Sequence, residues 1–144
     1  MRIVLDTTIL VRANENSQGL ARELLLKIVT GRHDLLLSNE MLHELARVLR
    51  YPRLQAFYGL SEERLYSYIG FLNEVAEIVT LNPMLMVPIR DVNDIIVVQT
   101  AVIGAADVLC TTDEDFYGPE TASFLEKTGT IVMNDVDLIQ DLRS

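Results

Sequence analysis

Five short apolar runs punctuate the chain, and between them apolar residues recur every three or four positions. Ile3, Val4 and Leu5 form the first run, of the length that a strand buried on both faces needs. Leu35 to Leu37, Ile78 to Leu81, Asp107 to Thr111 and Thr130 to Met133 predict four more strands. The intervening periodicity is helical. Leu20, Leu24 and Ile28, widened by Ala21 and Leu25, predict a helix over Ser17 to Thr30, stopped by Gly31. Ser38 is placed to cap a helix from Asn39 to Arg50. Around that helix Met41, Leu42, Leu45, Ala46, Val48 and Leu49 fill one arc and Glu40, His43, Glu44 and Arg47 the other, with Glu44 on the border beside Val48.

Tyr51-Pro52 ends that helix. The next is predicted from Ser61, with Glu62 and Glu63 suiting the dipole of its first turn and Leu60 and Leu65 at the spacing of a hydrophobic staple. Leu65, Tyr68, Ile69, Leu72, Val75 and Ala76 supply its inward side. Asp91 caps a helix running through Asp94 and the β-branched run Ile95 to Val98 as far as Gly104; being apolar most of the way round, it is expected against the sheet. Thr112 to Phe116 reads as an acidic loop, Pro119 to Lys127 as a short helix, and Val136 to Leu142 as a last helix capped by Asn134 or Asp135. Strands alternating with helices at these lengths predict an α/β fold with a mainly parallel sheet and right-handed crossovers.

The 144 residues fit one domain, taken as 1–144, with one sizeable core. The longest apolar stretches are broken by Arg, Asp or Gln, so no membrane span is expected. Met1 opens directly onto the first strand with no leader, which predicts a cytoplasmic protein. Cys110 is the only cysteine, which excludes an intrachain disulfide and a cysteine-based zinc site; it reads as a small core residue. The net charge of −9 argues against a general nucleic-acid coat protein, so any nucleic-acid contact must rest on a local basic patch.

The acids change the picture most. Asp6, Asp113 and Asp115 follow strands, at the edge where open α/β sheets place their ligands. Asp94 opens a helix on that edge, with Asp91 before it, and Glu44 lies about a turn into another. Taken singly, Asp6 suits a turn cap and Glu40 and Glu44 a solvated face. Taken together, they converge, and carboxylates sharing a cleft repel and raise one another's pKa. A divalent cation removes that cost, and an oxygen-only donor set suits Mg²⁺ or Mn²⁺. His33 and His43 lack the pattern of a zinc site and are expected at the surface. A haloacid-dehalogenase-type phosphotransferase would need Asp where Thr8 stands. A response-regulator receiver would need an acidic neighbour for Asp6 and a Lys after the fifth strand, and a dinucleotide-binding fold would need Gly-x-Gly-x-x-Gly; none of these is present.

The chain resembles PIN domains, in particular the toxin components of bacterial and archaeal toxin–antitoxin pairs. The resemblance is carried by Ile3 to Leu10, Ser38 to Leu49, Asp91 to Asp94 with its helix, and Ala106 to Phe116, in that order. It implies a three-layer α/β/α fold whose parallel five-stranded sheet is ordered 3-2-1-4-5. It also implies an Mg²⁺- or Mn²⁺-dependent endoribonuclease leaving 5′-phosphate and 3′-hydroxyl ends. Asp6, Glu44, Asp94 and Asp113 match the family's acidic quartet, as catalytic and metal-binding residues, and Asp115 a supporting metal ligand. Thr7 matches a hydroxyl that braces the first Asp, and Thr111 and Asp91 are further supporting residues. Thr8 and Thr112 depart from the commoner Asn or Ser and Gly or Ser.

The partners expected on this reading are RNA, a cognate antitoxin and a second copy of the chain. Arg47, Arg50 and Arg53, with Tyr51, Phe57 and Tyr58 nearby, form the candidate RNA contact; helix-end basicity and core aromatics account for them equally well. A second reading is an interaction module that uses Met84 to Val87 with Leu54 and Phe57 as its surface. A third is a metal-dependent phosphoesterase acting on another substrate, since the acids alone do not specify RNA.

Overall fold

The structure, a computed structural model, describes residues 1–144. Strands β1 (Arg2–Leu5), β2 (Asp34–Ser38), β3 (Glu77–Val79), β4 (Val108–Cys110) and β5 (Ile131–Met133) form one parallel sheet in the order β3-β2-β1-β4-β5. This is the order the sequence resemblance implied. Ile3 pairs with Leu35 on one side and Val108 on the other, so β1 is central. Ile3, Val4, Leu5, Leu35, Leu36 and Leu37 are each no more than 2% exposed. Consecutive strand residues face opposite sides of a sheet, so burial of every one means that helices cover both faces, in three α/β/α layers.

The helices are α1 (Thr7–Arg12), α2 (Leu20–Thr30), α3 (Asn39–Leu49), α4 (Pro52–Tyr58), α5 (Glu62–Val75), α6 (Val92–Ile103), α7 (Pro119–Lys127) and α8 (Asp135–Arg143). Side-chain caps fix the starts of α3, α5, α6 and α8: Ser38, Asp91 and Asn134, which the sequence offered as caps, and Ser61, which it placed at a helix start. Ser38 Oγ accepts from the Met41 amide, Ser61 Oγ from Arg64, an Asp91 oxygen from Asn93, and Asn134 Oδ1 from Asp137. The buried face of α3 is Met41, Leu42, Leu45 and Leu49, while α6 buries Val97 to Ala101 and packs against β1 and β2. No helix is long and apolar enough to cross a membrane.

Several boundaries differ from the periodicity. Helix α2 begins at Leu20, because Gly19 holds an extended conformation before it. Strand β3 stops at Val79, not Leu81, where its pairing with β2 ends. Pro52 both ends α3 and starts α4, a helix the apolar pattern did not announce; a proline is tolerated at a first helical position because that N–H has no helical partner anyway. Val75, expected inside, is 39% exposed at the end of α5. The acidic segment after β4 closes into a 3₁₀ turn over Glu114–Tyr117 rather than an open loop. The six residues of α1 are too few for a periodic signal. They bury Ile9, Leu10 and Val11, and the Tyr68 hydroxyl of α5 donates to the Leu10 carbonyl at 2.7 Å.

The amino edge of the sheet is tied by Arg2. Its guanidinium donates to the Gly104 carbonyl at 2.8 and 3.1 Å and pairs with Glu77 and Asp34, while its amide donates to Asp107. Gly104 closes α6 against the sheet: a Cβ there would lie 3.0 Å from Leu36 Cδ1 and 3.0 Å from Val79 Cγ2. Gly104→Ala is therefore expected to lower stability by about 1–3 kcal/mol, the usual scale of overpacking. Urea denaturation checks this, and an unchanged midpoint would show that α6 has room to move.

Candidate metal centre

Parallel strands direct their carboxyl ends alike, so the segments that follow β1, β3 and β4 open onto one edge. Because β4 is the neighbour of β1, the acid after β1 and the acids after β4 are brought side by side. Asp6 is 4% exposed and caps α1. One carboxylate oxygen accepts from the Thr7 amide at 2.7 Å; the other accepts from the hydroxyls of Thr8 at 3.2 Å and Thr111 at 2.8 Å. Burial pushes the Asp6 carboxyl above the usual range, against the pull of these three donors.

Thr111 joins two acids. Its hydroxyl donates to Asp6 and accepts from the Asp113 amide at 3.0 Å. The Tyr117 hydroxyl donates to the Thr111 carbonyl at 2.6 Å and anchors the segment from the 3₁₀ turn. Asp113 in turn caps that turn, accepting from the Asp115 amide at 3.0 Å. Asp94, in the first turn of α6, is half-buried. Its carboxyl is pushed up to about 7, first by burial and then by the charges of Asp113, Asp91, Asp6 and Asp115.

One carboxylate oxygen from each of Asp94, Asp113 and Asp115 lies within 4.8 Å of the others. Beside this cluster is a cleft of about 200 Å³ lined by Asp6, Glu44, Asp94 and Asp113, with Thr8, Asn93, Val11 and Val48. The donors are all carboxylates, without His or Cys, and their mutual repulsion is already visible at Asp94. A hard divalent cation such as Mg²⁺ or Mn²⁺ fits such a set.

The residues singled out from the sequence take different places. Asp94, Asp113 and Asp115 form the tight cluster, while Asp6 and Glu44 line the adjoining cleft. Thr7 contributes its backbone amide to Asp6, and the bracing hydroxyls belong to Thr8 and Thr111. Asp91 lines the cleft and caps α6. Both Glu44 oxygens accept from Arg47, three residues along the same helix face. Arg47 also donates to the Tyr51 hydroxyl and lies over its ring. Arg50 lies over the Tyr66 ring and pairs with Glu62, and Arg53 is exposed without a side-chain partner. Phe57 is 78% exposed, so it is not a core aromatic. Asn93, Val11 and Val48 were not singled out as site residues. Asn93 was findable from its place between Asp91 and Asp94; the two valines depend on how α1 and α3 pack.

Comparison with known proteins follows the same lines. A family model described as "PIN domain" matches residues 2–115. No curated protein matches the chain by sequence. Among solved structures the fold is similar to that of VapBC2 from Rickettsia felis, in the crystal structure of that complex bound to a DNA fragment from its promoter. The TM-score is 0.62 at 16% identity, over 93% of this chain and 98% of that one. At that identity the likeness is one of fold.

Neutralising the cluster should stabilise the protein. Mn²⁺ or Mg²⁺ at about 100 times its dissociation constant is expected to add about 2.7 kcal/mol. The gain is read as a rise in Tm that EDTA reverses. The Asp94→Asn/Asp113→Asn variant should show no such rise; an equal rise would place the cation elsewhere.

Proposed function

The chain belongs to the PIN domain family, and from that premise we propose that it is a metal-dependent endoribonuclease, the toxin of a toxin–antitoxin pair. The observation that carries the reading is the convergence of Asp94, Asp113 and Asp115 beside a cleft that Asp6 and Glu44 also line. Asp94, Asp113 and Asp115 would hold Mg²⁺ or Mn²⁺, with Asp6 and Glu44 as the remaining acids of the site. Such an ion supplies Lewis-acid stabilisation of charge on a phosphate oxygen and acidifies water.

The chain's own residues do the rest. Asp6 is fixed by three donors, so its charge stays in place as substrate enters and no reorganisation is needed during reaction. Thr111 holds Asp113 in register with Asp6. Arg47 fixes the rotamer of Glu44, whose side chain is only 13% exposed at the cleft. Val11 and Val48 form the apolar part of the cleft lining. Thr8 and Asn93 offer polar groups toward a sugar or phosphate.

A protein antitoxin is the expected partner, supported by the fold likeness to the Rickettsia felis complex. Met84 and Met86, at 82% and 86% exposure in the segment before α6, offer apolar surface for a protein contact. Self-association into a homodimer belongs to the same reading, as does action in the cytoplasm.

Purified protein with single-stranded RNA and Mn²⁺ or Mg²⁺ should yield internal cuts with 5′-phosphate ends. Asp6→Asn and Asp94→Asn should each lower the rate by about 100-fold or more, the scale of losing one pre-organised electrostatic group. Cleavage that persists in both variants would remove the site. Metal binding without RNA cleavage, but with turnover of another phosphate ester, would favour the broader phosphoesterase reading.

A further inference from the structure

The chain carries 12 Lys and Arg against 21 Asp and Glu, so most of its cations are already engaged. Ion pairs hold Arg2, Arg12, Arg47, Arg50 and Arg143, and hydrogen bonds hold Arg22 and Arg64. A polyanion approaching the acid cleft must use a cation that no acid has taken. Arg90 and Lys127 are two such cations, both exposed; Arg90 stands in a recess that adjoins the cleft, and Lys127 in a farther one that shares Pro88 with Arg90's.

The continuity is visible in the lining residues. The acid cleft shares Asp91 with a recess of about 320 Å³ in which Arg90 stands with Asp115 and Thr121. That recess shares Pro88 and Thr121 with another at the start of α7, which shares Pro88, Pro119 and Glu120 with a third reaching Lys127. Glu120, Ser123, Phe124 and Lys127 lie three and four residues apart, so they form one face of α7. At 1.5 Å per residue this helix offers a track about 13 Å long. Phe124, half-buried against the core, leaves part of its aromatic ring lining the same recess as Lys127.

We propose that this groove, from Arg90 along α7 to Lys127, holds the phosphate backbone of single-stranded RNA on one side of the acid cleft. The inference rests on the nuclease reading of that cleft. Arg90 neutralises a phosphate next to the cluster, Lys127 one farther along, and Phe124 supports an unpaired base by stacking. Asp91, Asp115 and Glu120 also line the groove, so the attraction is confined to the two cations and is salt-sensitive. A single strand is favoured over a duplex because a stacking surface is useful only to a base that is not paired.

The test measures fluorescence anisotropy of a labelled 2′-O-methyl single-stranded RNA in Mg²⁺, its integrity checked by gel. Arg90→Ala/Lys127→Ala should weaken binding by about tenfold or more and make the salt slope shallower by about 1.4, the value for two phosphate contacts on a single strand. Lys27→Ala/Arg32→Ala removes the same charge from two side chains that also lack partners, far from the groove in sequence. It should leave affinity within about twofold of the parent, if attraction is local rather than global. The proposal is overturned if the groove variant binds like the parent, if both variants weaken alike, if duplex RNA binds as tightly, or if the parent does not bind. Asp94-dependent cleavage with unaltered binding by the groove variant would sink the groove and leave the nuclease reading standing. Groove-dependent binding without cleavage would do the reverse.

Discussion

One hydroxyl group ties the acids of two neighbouring strands together. Thr111 donates to Asp6 and accepts from the amide of Asp113, so the carboxylate after β1 and the turn after β4 cannot shift independently. The arrangement depends on sheet order, since only adjacency of β1 and β4 puts Thr111 within reach of Asp6. It also depends on the core beneath: Ile3, Val4, Leu5, Leu109 and Cys110 are fully buried and hold the two strand ends at fixed height. Cys110 is part of that packing, its thiol pushed up to about 12 by burial.

Electrostatics then divides the acids into three kinds. Asp6 is buried but well supplied with donors, so its charge has local support. Asp94 has no such donors; burial first, and then the carboxylates it faces, push its carboxyl up to about 7. Glu44 represents a third solution, compensation by a cation of its own helix. A site built this way keeps some charge fixed and leaves some unbalanced, and the unbalanced part is where an incoming cation gains most.

The same charge economy shapes the rest of the surface. Arg2 gathers Asp34, Glu77 and the end of α6 at the amino edge, opposite the acids. Arg47 and Arg50, which read from the sequence as free basic residues at a helix end, are each held by an acid and a tyrosine. Their pairing leaves Arg90 and Lys127 among the cations that no acid holds.

Much of this molecule was legible in the chain. The apolar runs, the caps Ser38, Asp91 and Asn134 and the helix start at Ser61 determined the strands and most helices, because burial and unsatisfied amides act over a few residues. The acids at strand ends were legible for the same reason, and their common edge follows from parallel topology. Sequence periodicity missed α1 and α4, because six or seven residues are too few to repeat, and Pro52 reads equally as a stop and a start. Only the tertiary structure decided that Asp94, Asp113 and Asp115 draw closest, that Thr8 and Thr111 brace Asp6, and that Arg47 holds Glu44. Those outcomes turn on ångström-scale distances between segments up to 105 residues apart. Local pattern brings such segments to the same edge; only packing fixes which side chains meet there.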